Sequence, residues 1–245
     1  MKISAVILAK NEEAKILRAI QSVAFCDEVI VIDDESTDNT KNVAQQAGAL
    51  VINHPLGGNF AQQREWATLQ TKNEWVLFLD ADEEVSSELK DEIINLPTTS
   101  PVAYAIPRRD FFWNTELKYG ETRKARTSGI VRLIKKDSGV WKGEVHEEFI
   151  SKQNPGKLKG FINHNSHSSI SSFVSAVNRY SSLRAQECVR AGSKPSLFEI
   201  IFFPFGKFIY SYFILGGFLD GPAGFAYSFA MSFHSFLVRA KLVIK

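Results

Sequence analysis

Cysteine is scarce in this chain. The two present among 245 residues, Cys26 and Cys188, stand far apart and outside any Cys-x-x-Cys or Cys/His grouping. That excludes a disulfide-stapled scaffold and a thiolate zinc site, and it fits two buried thiols in a reducing compartment. Charge of one sign is lacking too. With 29 Lys+Arg against 27 Asp+Glu the net charge is +2, and the basic residues are scattered, so no face is built for nucleic acid. No clean run of about 20 uncharged apolar residues occurs. The first apolar stretch is not followed by a glycine-rich triphosphate loop, since that place reads Leu8-Ala-Lys-Asn-Glu-Glu. This argues against a nucleotidyltransferase. The opening stretch reaches Lys10 too soon for a signal-peptide core, so the protein is expected to start in the cytoplasm.

What is present is rhythm. Up to Leu96, short β-branched runs alternate with helix-like stretches, the pattern of an α/β layout with parallel strands and crossover helices. Strands are predicted at Ile3–Leu8, Glu28–Ile32, Leu50–Ile52 and Trp75–Leu79, covered on both faces. Helices are predicted at Glu12–Ala24, Asp38–Ala47 and Phe60–Leu69, the second capped by Ser36 or Thr37. Beyond Pro97 the strands shorten (Ala103–Ile106, Ile130–Ile134), and Ile170–Arg190 has the spacing of an amphipathic helix. The expected division is a catalytic domain over residues 1–192, with halves 1–97 and 98–192, and an apolar helical segment over 193–245.

Two strand ends carry acids. Leu77-Phe-Leu-Asp80-Ala-Asp82 delivers two carboxylates at the end where α/β folds bind ligands. With nothing basic beside them, they repel each other unless a cation lies between, and a hard divalent ion that also grips a diphosphate suits this need. An Asp-x-Asp alone also occurs in many solvated loops. The stretch Val29-Ile-Val-Ile-Asp33-Asp34-Glu-Ser-Thr-Asp38 is a second acid-ended strand, suited to accept hydrogen bonds from a base or ribose.

In that order and at those distances, these residues resemble family 2 glycosyltransferases. The resemblance implies a GT-A fold, a Rossmann-like mixed sheet flanked by helices that binds nucleotide-diphosphate sugars. It implies that Asp33 and Asp34 bind uridine, that Asp80 lies near the ribose, and that Asp82 coordinates a manganese or magnesium ion. Ala9-Lys-Asn11-Glu12 resembles the strand exit that passes the uracil. Glu35 departs from the pattern, which commonly has glycine there. The loop Pro55-Leu-Gly57-Gly58-Asn-Phe-Ala-Gln-Gln-Arg64, the motif Val145-His146-Glu147 and the stretch Gly217-Phe-Leu-Asp220-Gly221 are similar to the bacterial lipopolysaccharide core β-glucosyltransferase branch. That resemblance implies inverting transfer of a hexose, glucose favoured, to a lipid-linked oligosaccharide, with Glu147 as general base and His164 completing the metal shell. Arg64 is then either a brace for the pyrophosphate or a solvated arginine. Arg132 is either a phosphate or acceptor contact or a structural ion pair. His146 packs, orients Glu147 or touches the acceptor. A catalytically silent scaffold of the same fold is the alternative from another class.

From Leu197 onward aromatics dominate, interrupted by Glu199, Pro204 and Lys207. Helices lying in a membrane interface are expected, with Lys207, Arg239, Lys241 and Lys245 reaching headgroups. The alternatives are a bilayer-crossing hairpin, a buried pair, or a homodimer interface. A peripheral position on the inner face of the cytoplasmic membrane follows as the expectation.

Overall fold

The computed structural model describes residues 1–97, 101–144, 147–167 and 170–243, the side chains of 166, 167 and 172 excepted. In chain order the elements are β1 (Ile3–Ala9), α1 (Ile16–Ser22), β2 (Glu28–Asp33), α2 (Thr40–Gln46), β3 (Leu50–Asn53), α3 (Phe60–Gln70), β4 (Trp75–Asp80), β5 (Glu83–Val85) and α4 (Ser87–Ile94). There follow β6 (Ala103–Ile106), β7 (Arg108–Phe112), β8 (Thr115–Leu117), α5 (Arg123–Ser128), β9 (Ile130–Lys135), β10 (Gly139–Lys142), β11 (Glu148–Ser151), β12 (Gly156–Lys157) and β13 (Ile162–His167). Three helices close the chain: α6 (Ile170–Arg190), α7 (Leu197–Ile209) and α8 (Gly221–Val243).

Two compact units emerge, Met1–Arg108 with Thr127–His164, and Arg109–Arg126 with Asn165–Lys245. This division differs from the boundary expected at residue 192. The long helix α6 belongs with α8, against which its apolar stripe packs through Phe173 and Val177 onto Ala223.

The first unit is built on a seven-stranded mixed sheet, order β12-β6-β9-β4-β1-β2-β3. Strands β1, β2, β3 and β4 are parallel, and β9 runs antiparallel to both β4 and β6. The side chains of β1 alternate between two cores. Ile3, Ala5 and Ile7 join α1, α2 and α4 on one face, while Val6 and Leu8 join Phe78, Trp141 and Phe149 on the other. Coverage on both faces is why these strands read as continuous apolar runs. Each fully buried Ile or Leu there contributes about 1.5–3 kcal/mol. The edge strand β3 is the exception, with Leu50 exposed. The predicted helix Glu12–Ala24 is shorter than expected, because residues 12–15 form a turn tied to the β2–α2 loop.

In the second unit β7 and β8 form an antiparallel hairpin, and α7 and α8 pack against each other. Gly224 lets the first turn of α8 close on the preceding turn at Gly217–Asp220, since a Cβ there would overlap the Gly217 carbonyl.

Candidate active site

The parallel register sets the site. Ala9 pairs with Asp33 and Leu8 pairs with Asp80, so β1, flanked by β2 and β4, brings the two acid-ended strands to one edge. Two strand spacings separate Asp33 from Asp80, about 10 Å. This is the carboxyl edge at which open α/β sheets bind ligands.

Asp33 is fully buried. Its Oδ2 accepts the Ser36 N–H at 2.9 Å and lies 3.3 Å from the Lys41 ammonium, while Oδ1 has no hydrogen-bond partner among the described residues. A buried acceptor left unfilled costs about 1–3 kcal/mol, which a ligand N–H would recover. Asp34 is held differently. Its N–H donates to the Ala9 carbonyl, its carboxylate pairs with Lys10 at 2.9 Å, and it accepts the Leu56 N–H at 2.8 Å.

The exit of β1 is tied to the β2–α2 loop. Asn11 donates its N–H to Ser36 Oγ, and its Oδ1 accepts the Thr37 N–H. Glu12 donates its N–H to Thr40 Oγ1 and pairs with Lys15 at 3.3 Å. Ser36 and Thr37 are therefore not helix caps. The cap position of α2 is Asn39, and the first turn is closed by Asp38 through the Thr40 N–H. The expectation failed because cap chemistry and loop-tying chemistry use the same residue types. Glu35 stands at φ +53°, the left-handed region where a Cβ is strained, which explains the glycine of the resembling pattern at this place.

Asp80 and Asp82 have separate partners. Asp80 accepts from Arg64 Nη2 at 2.8 Å and from Arg132 Nη2 at 2.9 Å. Burial opposes its charge, but Arg132 and Arg64 outweigh that and hold its pKa far below the usual carboxylate range. Asp82 faces His164 Nε2 at 3.4 Å, with the Lys15 ammonium at 4.0 Å. Its pKa is also lowered, His164 outweighing burial. The expectation that nothing basic stands beside the pair is thus overturned. The arginines arrive from α3 and β9, remote in sequence.

Arg64 is 1% exposed, so the solvated reading is overturned as well. Its guanidinium lies over the rings of Phe78 and Trp141 at 5.4 and 5.2 Å, and its Nε donates to Glu147 Oε1 at 2.7 Å. Arg132 is an ion-pair residue, bound to Asp80 and 3.7 Å from Glu83, and these acids raise its pKa despite burial. Glu147 lies beside this cluster, while Glu148 on β11 is exposed. His146 lies outside the described residues.

Glu83 was missed by sequence reasoning. Fully buried, it accepts the Asp80 N–H at 3.0 Å and pairs with Arg108 at 3.4 Å, anchoring the strand-end turn. Its signal was an acid directly after the Asp-x-Asp. Lys15, on the approach to α1, was missed too.

A divalent ion fits Asp82 and His164. A 3.4 Å gap between a carboxylate oxygen and an imidazole nitrogen is close to the spacing of neighbouring ligands about 2.1 Å from one cation. No group of three potential protein ligands exists among the described residues.

Residues 4–180 match the model of the family described as Glycosyl transferase family 2. An uncharacterised glycosyltransferase of Rickettsia typhi is 36% identical, covering 98% of this chain and 86% of its own. The lipopolysaccharide core biosynthesis glycosyltransferase LpsC of Rhizobium meliloti is 29% identical, over 99% of this chain and 92% of its own. Among solved structures, glucosyl-3-phosphoglycerate synthase from Mycobacterium tuberculosis in complex with Mn2+, uridine-diphosphate-glucose and phosphoglyceric acid shares 25% identity over 44% of each chain, with a TM-score of 0.36. By the family match, the long-range identity and the ordered acids at one sheet edge, the chain belongs to glycosyl transferase family 2, a family of enzymes, and its fold is the GT-A mixed sheet.

Proposed function

We propose that this enzyme transfers a hexose, glucose favoured, with inversion from a uridine-diphosphate sugar to a hydroxyl of a lipid-linked glycan such as a lipopolysaccharide inner core. The observation that carries the reading is one sheet edge holding both Asp33, with a buried unfilled acceptor oxygen, and the Asp82–His164 pair. The first offers an acceptor for a base N–H, with Asp34, Ala9, Asn11 and Glu12 shaping the same loops. The second would hold the divalent ion. When bound, that ion supplies charge to neutralise the departing diphosphate.

The rest belongs to the chain's own residues. Glu147, held through Oε1 by Arg64, is assigned the role of base, its second oxygen taking the proton of the acceptor hydroxyl. As the acceptor oxygen forms its bond to the anomeric carbon, the bond to the diphosphate oxygen breaks on the opposite face and the proton passes to Glu147. The resemblance assigns Asp80 to the ribose, and its charge is balanced by Arg64 and Arg132. Likeness to LpsC over nearly the whole chain supports the acceptor class.

The test joins binding and turnover. Uridine diphosphate with manganese should raise the melting temperature of the wild type. Asp82→Asn should lose the manganese-dependent part and abolish transfer. Glu147→Gln should keep the ligand shift and transfer about 10²–10⁴-fold more slowly. Near-normal turnover in Asp82→Asn with manganese present would sink the metal assignment.

A further inference from the structure

We infer that the α7–α8 hairpin of the second unit is a membrane plank. It lies flat in the lipid interface and is held there by aromatic insertion rather than by cations on headgroups. The inference deepens the proposed acceptor class, and its test reads binding without turnover, so the two fail separately.

The first observation is breadth. Residues 197–214 form a helical run apolar and long enough to cross a membrane, yet only 11% of it is buried. Around α7, exposed Ile201, Phe202, Phe203 and Phe205 span an arc of about 200° at 3.6 residues per turn. Along α8, exposed Phe225, Phe229, Phe233 and Phe236 recur at three and four residues, a second stripe. With Phe198, Tyr210, Phe213 and Phe218, also about half exposed, these aromatics leave about 1,100 Å² of apolar surface, taking roughly 200 Å² per ring-bearing side chain. An ordinary monomer shows about 300–600 Å² in its largest patch. One partner in a standard dimer covers about 800 Å². A second copy seated on one stripe would leave the rest in water, whereas a lipid interface receives all of it.

The second observation fixes the depth. Asp220, at the tip between the helices, accepts the backbone N–H groups of Lys118 and Tyr119 at 2.9–3.1 Å, and Lys207 in α7 pairs with Glu121 at 2.9 Å. The segment carrying Lys118, Glu121, Arg123, Lys124 and Arg126 is thereby fastened to both the tip of the hairpin and the last turn of α7. A bilayer-crossing hairpin would carry those charges into hydrocarbon, where they are rare and costly. Lying flat keeps them at the headgroup level.

The third observation corrects the expected electrostatic grip. Lys207 is occupied by Glu121. Arg239 lies over the Phe203 ring at 4.4 Å and donates to the Ser235 side chain and carbonyl. Lys241 donates to Asn178, Ser181 and Ser182 on α6, each at 2.7–2.8 Å. Lys245 lies outside the described residues. Lys207, Arg239 and Lys241 are thus engaged inside the unit, so apolar burial supplies the binding.

The experiment is co-sedimentation of the full chain with neutral phosphatidylcholine vesicles and with vesicles containing phosphatidylglycerol, at low and high salt. Expected is binding to both kinds that survives high salt. The double variant Phe202→Ser/Phe205→Ser should bind at least tenfold less while keeping its melting temperature. Leu69→Ser, at an exposed position of α3 in the other unit, should bind as wild type. Tryptophan placed by Phe205→Trp or Phe229→Trp should be quenched more by lipids brominated near the headgroup than near the chain ends. Strongest quenching from the bilayer centre would overturn the flat geometry. Binding only to anionic vesicles and lost in salt would overturn insertion. No sedimentation, with a dimer by light scattering that Phe202→Ser/Phe205→Ser dissociates, would make this face a subunit interface.

Discussion

Replacing Arg64 by methionine keeps an unbranched apolar stem between Phe78 and Trp141 and removes one guanidinium that joins two acids. Removing one member of a buried ion pair costs about 3–5 kcal/mol, because the charge left behind is unpaired in low dielectric. Here the two acids do not suffer equally. Asp80 keeps Arg132 at 2.9 Å, and its side chain is 35% exposed, so water and a second cation remain. Glu147 is 12% exposed and loses its only ion pair among the described residues. The cost should therefore fall near the lower bound, about 3 kcal/mol. In urea, where m is about 2–3 kcal/mol/M for a chain of this size, the unfolding midpoint should drop by about 1 M. Adding Glu147→Gln should recover part of the loss, since an amide is cheaper to leave unpaired than a carboxylate. A wild-type midpoint in Arg64→Met, or a double variant weaker than the sum of the singles, would refute this account of the cluster.

Two further predictions concern titration. Burial opposes charge on Glu28, but the Lys72 N–H at 2.9 Å and the Ser4 hydroxyl at 2.6 Å outweigh it and lower its pKa. The folded value lies below the unfolded one, so this stabilisation is complete above a pH of about 4.3 and is lost as pH falls through the folded value. Glu28→Gln should flatten the acid limb of melting temperature against pH; limbs parallel to wild type would remove Glu28 from it. Burial, with the Asp27 charge adding to it, pushes the Cys26 thiol up to about 12. Alkylation of Cys26 near neutral pH should run about 10³-fold slower in the native chain than in urea, from thiolate fraction alone. Equal rates, resolved by peptide mapping, would place Cys26 in a more solvated setting.

The strand and helix rhythm up to Leu96 was legible because β1, β2 and β4 are buried on both faces, which writes unbroken apolar runs into local sequence. The acids were legible for the same reason, as charged residues ending such runs. Ser36 and Thr37 were misread because a cap and a loop tie share their chemistry, and only the proximity of Asn11 distinguishes them. The boundary expected at residue 192 looked natural by composition, yet α6 packs with α8. Who neutralises Asp80 was beyond local reading altogether. Arg64 and Arg132 lie 16 and 52 positions away and meet it only because α3 and β9 pack beside β4. In the same way Lys241 counted as a free cation until α6 supplied its acceptors. Local periodicity determined which residues form elements and which strand ends carry acids. Tertiary packing decided the partner of each charge, because ion pairing depends on distance through space and the chain's own order does not record it.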